Sequence, residues 1–225
     1  MSKKFTWSFC LVVVALCVSS LPAMAGSQTF FTDLGSGDNV YQCCTGWTVS
    51  GSGTVGTSFT AANEFTAMAS GSISQIDIGI GYVGGVDSFY AALYTDVNNQ
   101  PGTELGQWNN LTSNTQFGQC CGLVTISGIT GVNLTAGQQY FLVLGPMDVN
   151  DTSWLAWNLN STNVNGLDLY STDGGHTWNS NGQTTIGAFD IIGSSGGTVP
   201  EPSSLLLLGT GLVGVFGSMR KKLMR

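Results

Sequence analysis

Basic residues are nearly absent from the body of this chain. Of 225 residues only six are Lys or Arg, and all six lie at the two ends, as Lys3 and Lys4 and as four residues within 220–225. Between residues 26 and 199 there is neither Lys nor Arg, whereas twelve of the thirteen acidic residues lie there. Such a body cannot neutralise phosphates, so nucleic-acid binding is excluded and binding to anionic lipid headgroups is disfavoured.

The residues used for acid–base and nucleophilic catalysis are also scarce. The chain has a single histidine, His176, and the body offers no lysine, so its serines lack a general base. We therefore predict that the chain is not an enzyme. A pair of carboxylates could hydrolyse a glycoside, and a glycosidase is kept as a third hypothesis because the sequence does not single out one acidic pair.

The N-terminal segment predicts export. Lys3 and Lys4 precede an apolar run at 9–18, and Ala23 and Ala25 form an A-x-A cleavage site before Gly26. We predict a signal peptide over residues 1–25, which passes the Sec translocon and is removed by signal peptidase, so that the mature chain begins at Gly26. The alternative is an uncleaved membrane anchor, which the short apolar run disfavours.

The C-terminal segment has three parts in a fixed order. Val199, Pro200, Glu201 and Pro202 are followed by an uncharged apolar stretch at 205–219 and then by a basic tail at 220–225. Fifteen helical residues extend roughly 22 Å, which is short of a ~30 Å hydrocarbon core. We predict a marginal transmembrane helix whose basic end stays in the cytoplasm.

This order of motif, apolar helix and basic tail resembles the PEP-CTERM sorting signal of Gram-negative bacteria, here over residues 199–225. The same segment has been labelled an ice-binding protein C-terminal domain, which is no evidence of ice binding. The resemblance implies recognition and removal by the membrane enzyme exosortase. It also implies transient inner-membrane anchoring, followed by a place at the cell surface or in the matrix, with a link to exopolysaccharide and biofilm. The alternative is an ordinary single-pass tail anchor.

The body predicts an all-β fold. Apolar residues alternate with polar ones in short runs separated by glycine-rich and asparagine-rich turns, and the chain has 32 glycines. We predict a single antiparallel β-sandwich or jelly roll over 26–192 and a Gly/Ser linker over 193–198. Residues 26–53 have a more irregular composition and are expected to form a loop or an edge segment. The predicted strands are 76–82, 89–94, 123–126, 140–144, 154–159, 167–170 and 186–192. The predicted turns include 98–102 and 179–182.

Phrases such as Ala91 to Gly102 (AALYTDVNNQPG) and Leu134 to Leu142 (LTAGQQYFL) are similar to the choice-of-anchor β-sandwich domains of bacterial surface proteins. The resemblance implies a surface location and brings no assigned activity.

Four cysteines remain after export, as two adjacent pairs: Cys43 with Cys44, and Cys120 with Cys121. In an oxidising compartment we expect disulfides between the two pairs, with the connectivity left open. Vicinal disulfides and a four-thiolate metal site are the alternatives. The metal is disfavoured because paired zinc ligands usually have spacers of two or more residues.

Residues 171–178 match the Asp-box pattern S-x-D-x-G-x-T-W, through Ser171, Asp173, Gly175, Thr177 and Trp178. In proteins that carry this pattern it forms a β-hairpin turn, usually away from the catalytic site. We therefore predict a structural role, with Asp173 accepting hydrogen bonds from turn N–H groups and Trp178 in the core. His176 stands at a variable position and is expected on the surface.

Two further features are weighed for ligand binding. The acidic turns at 96–99 and 148–151 supply oxygen ligands of the kind that calcium prefers, although Asx-turns explain both without a metal, and no other cofactor is indicated. Exposed tryptophans could stack on sugars, which would make the body a carbohydrate-binding module, although buried packing explains most of them. The candidates are Trp47, Trp108, Trp154, Trp157 and Trp178. The first hypothesis is a non-enzymatic structural or adhesive surface protein with exopolysaccharide as a candidate partner. The second hypothesis is a carbohydrate-binding module.

Overall fold

A computed structural model describes residues 26–195, and this part of the chain is all-β. It contains one short helix, α1 (Ser52–Val55), among strands that pair antiparallel. The strands are β1 (Ser27–Thr32), β2 (Tyr41–Ser50), β3 (Thr60–Thr66), β4 (Gly71–Ile78), β5 (Ile80–Gly84), β6 (Phe89–Asp96), β7 (Pro101–Leu111), β8 (Val124–Ser127), β9 (Asn133–Leu134), β10 (Gln139–Pro146), β11 (Trp154–Asn160), β12 (Asn165–Ser171), β13 (Asn179–Thr185) and β14 (Phe189–Ser195).

The strands form three sheets. A five-stranded sheet has the order β1-β14-β4-β8, with β9 also paired to β4, and a six-stranded sheet has the order β13-β12-β3-β10-β6-β7. The third sheet has three strands in the order β2-β11-β5. Two large antiparallel sheets fit the predicted sandwich, whereas the separate three-stranded sheet was not expected.

One hydrophobic core is shared by all three sheets. It includes Ile76 of the five-stranded sheet, Leu142 of the six-stranded sheet and Leu155 of the three-stranded sheet, each fully buried. A smaller cluster around Phe141 and Val143 lies against the other face of the six-stranded sheet. This explains why β10 is apolar along nearly its whole length, since successive side chains enter different clusters.

Phe189 is the point where the three sheets meet. Its ring centroid lies 4.6 Å from that of Phe31 on β1, 5.5 Å from Phe65 on β3 and 5.7 Å from Trp157 on β11. These four side chains are buried, so each ring removes a large apolar area from water.

The backbone next to Phe189 ties the same sheets by hydrogen bonds. Gly79 N–H donates to the Ala188 carbonyl at 2.9 Å, and Ala188 N–H donates to the Asn158 carbonyl at 2.7 Å. The Trp157 indole N–H donates to the Ala188 carbonyl at 3.1 Å. Residues 186–189 thus satisfy their buried polar groups against neighbouring strands.

The turn between β6 and β7 is confirmed at its centre. Asn98 and Asn99 both have left-handed backbone angles, with φ of 57° and 61°. Val97 N–H donates to the Gln100 carbonyl at 2.9 Å, so this is a two-residue hairpin loop of the type that favours asparagine. Strand β7 already begins at Pro101, so the last two residues of the predicted turn, 101 and 102, belong to the strand.

Several predicted boundaries are wrong. The segment 26–53 is not a loop, since it holds β1 and β2, and each of them lies at the edge of a sheet, as the edge alternative predicted. The strand predicted at 76–82 is divided at Gly79, where a Cβ would lie 2.8 Å from the Tyr41 ring. The turn predicted at 179–182 lies within β13, and β14 continues to Ser195, past the start of the predicted linker. The missed strands β7 and β13 are sheet edges with polar sequences, which lack the apolar alternation used for prediction.

The predicted signal peptide and sorting segment lie outside the described residues. Within residues 26–195, no helix has the length and apolar character needed to cross a membrane.

The contact between Gly187 and Trp157 provides a test of this core. A Cβ at residue 187 would overlap the indole of Trp157, which is fully buried and cannot move aside. We expect Gly187→Ala to lower the free energy of unfolding by about 1–3 kcal/mol through overpacking, measured by chemical denaturation. Gly84→Ala is the control, because its Cβ would meet Trp154 at an ordinary 3.8 Å. Equal stability of the two variants would contradict the proposed role of this contact.

Candidate functional site

An aromatic pocket of about 300 Å³ lies where β2 of the three-stranded sheet meets the β12–β13 edge of the six-stranded sheet. Its lining combines aromatic rings with a few polar groups, the usual composition of a small-ligand site. The lining residues are Trp47, Thr48, Phe59, Ala61, Asp168, Leu169, Tyr170 and Asn181.

Three rings form the apolar part of this pocket. Phe59 and Tyr170 are half-buried and their ring centroids lie 6.3 Å apart. Trp47 is half-buried too, and its indole N–H donates to the Thr185 carbonyl at 3.2 Å, which fixes the ring orientation. Each ring thus has an exposed part in the pocket and a buried part that limits its movement.

Asp168 supplies the only carboxylate among the residues that line the pocket. It is 1% exposed, and each of its oxygens accepts one amide hydrogen bond, from Asn63 Nδ2 and from Asn181 Nδ2, both at 2.5 Å. Burial raises the pKa of Asp168 to about 6, although the two amide bonds partly oppose this shift. At neutral pH the carboxylate is thus mostly ionised, with no Lys or Arg anywhere in residues 26–195 to balance it.

Sequence reasoning had found only one wall of this pocket. Trp47 was among the candidate stacking residues, whereas Phe59, Asp168, Tyr170 and Asn181 were not singled out. The available signal was an acidic residue inside the predicted strand 167–170. Its burial could not be read from the sequence, because alternation alone would place it on the solvent side of a half-buried strand.

The Asp-box forms the connection between β12 and β13, the two strands that carry the polar wall of the pocket. Asp173 accepts hydrogen bonds from Thr177 N–H at 2.9 Å, Thr177 Oγ1 at 2.7 Å and Ser171 Oγ at 2.6 Å. These bonds, that from Ser171 foremost, hold the pKa of Asp173 well below its usual range. The box is therefore organised around an ionised aspartate.

The remaining Asp-box residues have structural positions. Gly175 has a φ of +91°, which favours glycine, and its N–H donates to Ser171 Oγ at 2.8 Å. Trp178 is half-buried and packs against the smaller hydrophobic cluster, not in the main core. His176 is exposed.

The other predicted tryptophans do not form a platform with Trp47. Trp157 is fully buried in the main core, and Trp108 packs against that core from β7. Trp154 is half-buried on β11. None of them lines the pocket, so the structure separates the five candidates instead of bringing them together.

The acidic turns use their oxygens within the loop. Asp148 Oδ1 accepts Asn150 N–H at 2.7 Å, and Asp151 Oδ1 accepts Ser153 N–H at 2.8 Å. Asp96 Oδ1 accepts Gln100 N–H at 3.2 Å. These are the hydrogen bonds of Asx-type turns, the alternative to calcium binding.

A pair of acids lies outside the pocket, on the five-stranded sheet. Asp77 and Asp190 are directly opposite each other on β4 and β14. Burial, and then the charge of Asp77, raise the pKa of Asp190. Asp33 is also buried, which raises its pKa to about 8, and its Oδ1 accepts Phe189 N–H at 2.7 Å. Asp33, directly after β1, thus links that strand to β14 through this hydrogen bond.

Three of the four cysteines meet in one cluster. Cys120 Sγ lies at bonding distance from both Cys43 Sγ and Cys121 Sγ. One sulfur forms one disulfide, so these are alternative bonds of Cys120. Cys44 is exposed and free, whereas Cys43 is half-buried, and both lie where the pairing of β2 with β11 is irregular, between Tyr41 and Gly46. The expected second cross-link between the two pairs is therefore not formed.

Metal binding is the alternative to a disulfide in the cluster of Cys43, Cys120 and Cys121. Within residues 26–195, the three thiols of Cys43, Cys120 and Cys121 are the one group of ligand side chains whose donor atoms all lie within 4.8 Å of one another. The four-thiolate site considered from the sequence is not assembled, since Cys44 is not among these three.

Comparison with known proteins identifies the C-terminal segment. Residues 198–221 match the family described as the PEP-CTERM protein-sorting motif. The predicted sorting residues Val199, Pro200, Glu201 and Pro202 lie inside this match, which implies export and exosortase-dependent sorting to the cell surface. No curated protein matches the chain.

Cysteine substitutions distinguish the alternative bonds. The Cys43–Cys120 bond joins residues 77 positions apart. We expect Cys43→Ser to lower the free energy of unfolding by about 2–4 kcal/mol under oxidising conditions, because it frees a long loop in the unfolded state. Chemical denaturation with and without reductant measures the effect, which reductant should abolish.

Neighbouring substitutions are the controls. Cys44→Ser changes the adjacent free thiol, and Cys121→Ser leaves Cys120 with Cys43 as its partner, so both should keep the stability of the natural protein. If Cys121→Ser destabilises the oxidised protein as much as Cys43→Ser, the long-range bond is not the one that forms.

Proposed function

We propose that this chain is an exported, non-enzymatic structural or adhesive protein of the cell surface or extracellular matrix. Its signal peptide directs it through the Sec translocon and is removed by signal peptidase. Its C-terminal helix anchors it transiently in the inner membrane until exosortase removes the sorting segment. The observation that carries this proposal is the PEP-CTERM match at residues 198–221.

The body suits a role outside the cell. Its β-sandwich is built around a shared core, and Cys120 lies at bonding distance from Cys43 in a distant segment. Such long-range cross-links are typical of proteins in oxidising compartments. All charged residues from 26 to 195 except His176 are acidic, which favours solubility and disfavours contact with anionic surfaces.

The geometry supports a role without catalysis. The pocket holds one carboxylate, Asp168, whereas glycoside hydrolysis uses two across the scissile bond. The one histidine, His176, is exposed in the Asp-box turn. The pair Asp77 and Asp190 lies on another sheet from the strands that build the pocket.

A second candidate function is carbohydrate binding, and the aromatic pocket specifically favours it. Half-buried rings of Trp47, Phe59 and Tyr170 provide faces on which sugar rings stack, while Asp168 and Asn181 provide polar contacts. The adhesive role and this candidate are compatible, since binding a matrix polysaccharide is one way of adhering to it.

The sorting step is tested by replacing the motif. Pro200→Ala combined with Glu201→Ala should leave the chain in the membrane fraction with residues 205–225 attached, because exosortase no longer recognises it. The natural chain should begin at Gly26 and end near Pro200. Intact mass and non-reducing peptide mapping of protein from the native host measure both ends.

A matched change elsewhere in the tail controls for general damage. Ser203→Ala and Ser204→Ala alter the spacer without removing the motif, and this variant should be processed normally. A natural chain recovered with residues 205–225 intact would overturn the exosortase proposal.

Polysaccharide binding is tested at the pocket. We expect Trp47→Ala to reduce retention on exopolysaccharide from the native host by about tenfold, since loss of a stacked ring costs on the order of 1–3 kcal/mol. Trp154→Ala is the control, because that ring is also half-buried and lies outside the pocket. Equal retention of the natural protein and both variants would exclude the pocket as the binding site.

A further inference from the structure

The charge of Asp168 has no counterion within the described part of the chain. Residues 26–195 contain no Lys or Arg, and the single histidine lies in the Asp-box turn, away from the pocket lining. Asn63 and Asn181 donate one hydrogen bond to each carboxylate oxygen, but amides carry no net charge. A buried carboxylate without a cationic partner is costly, and a bound cation would lower that cost.

The carboxylate retains capacity for such a partner. An ionised carboxylate offers about four lone-pair sites, and the two amide bonds use one on each oxygen. Asn63 is itself fixed, because its Oδ1 accepts Gly187 N–H at 2.6 Å. The acid is therefore held in place by the sheet before any ligand arrives.

The aromatic rings around Asp168 favour the same kind of ligand. Trp47, Phe59 and Tyr170 line the pocket together with this acid. The faces of aromatic rings attract cations, and a cage of rings with a nearby carboxylate is a common way to bind an organic ammonium group. The rings and the carboxylate thus both favour a ligand that carries a positive charge next to apolar groups.

We propose that the pocket binds the protonated amine of an amino sugar, so that the polysaccharide partner of this protein is one with free amino groups. The proposal deepens the carbohydrate-binding candidate and rests on it. Sugar rings bearing uronic acid or sulfate groups are disfavoured, because the surrounding body carries negative charge and no basic residue to receive them.

The test compares oligosaccharides that differ in one group. The probes are the β-1,4-linked tetramers of glucosamine and of N-acetylglucosamine, with cellotetraose as the neutral reference. The processed protein from its native host is titrated with each by calorimetry at pH 7 and about 0.15 M salt, where long-range attraction is largely screened. We expect the glucosamine tetramer to bind about tenfold more tightly than the other two, because a single desolvated cation–π contact contributes about this much.

Two variants test whether Asp168 causes the preference for the glucosamine tetramer. Asp168→Asn should abolish the preference for the glucosamine tetramer over the two neutral tetramers, because the amine loses its counter-charge. Asp38→Asn removes the same charge from an exposed residue outside the pocket lining and should keep the preference. Thermal unfolding of each variant verifies that both are folded.

The outcomes separate the two proposals. Binding of all three tetramers with equal strength would support the carbohydrate site and overturn the amine preference. If the preference for the glucosamine tetramer survives Asp168→Asn, or falls equally in Asp38→Asn, it arises from the overall negative charge of the protein. Either result would overturn the proposal that Asp168 binds the amine. Absence of binding by every tetramer would overturn both. Trp47→Phe keeps an aromatic face and should bind, whereas Trp47→Ala should bind about tenfold more weakly.

Discussion

The structure depends on the segment at residues 186–189, where the three sheets are joined. The Phe189 ring contacts buried rings from each sheet, and the adjoining backbone donates to the Asn158 carbonyl and accepts from Gly79 N–H. Gly187 must lack a side chain here, because the Trp157 indole occupies that space. Burial of the rings and satisfaction of the backbone are coupled, so neither can be changed alone.

The same segment positions the candidate site. Gly187 N–H donates to Asn63, Asn63 donates to Asp168, and Asp168 also accepts from Asn181. The Asp-box closes the hairpin that carries Asp168 and Asn181, so its structural role contributes to the pocket although the box is not part of it. A chain of hydrogen bonds thus runs from the core to the polar wall, which pre-organises the site before a ligand binds.

Residues 26–195 contain acidic side chains and no Lys or Arg, which affects both the stability of the fold and the partners it can bind. The buried carboxyl groups of Asp33 and Asp190 have raised pKa values because burial disfavours their charged forms. The pKa of Asp173 is shifted in the opposite direction, because hydrogen bonds from hydroxyl and amide donors stabilise its charged form. Asp168 lies between these cases, hydrogen-bonded and buried but without a counterion among residues 26–195. This contrast distinguishes acids that serve the fold from the one that faces a pocket.

The sequence alone determined the destination and the fold class. Fixed-order signals such as Pro200-Glu201-Pro202 are contiguous, and the alternation in segments such as 76–82 is local, so both can be read without a structure. Strands β7 and β13 escaped prediction because they are polar sheet edges whose pairing is decided by neighbours. Only the tertiary structure could bring Trp47 to Asp168, since they lie on different sheets and no local pattern records which faces meet. It also placed Cys120 beside Cys43 and not beside Cys44, because the position of Cys120 relative to β2 is set by long-range packing.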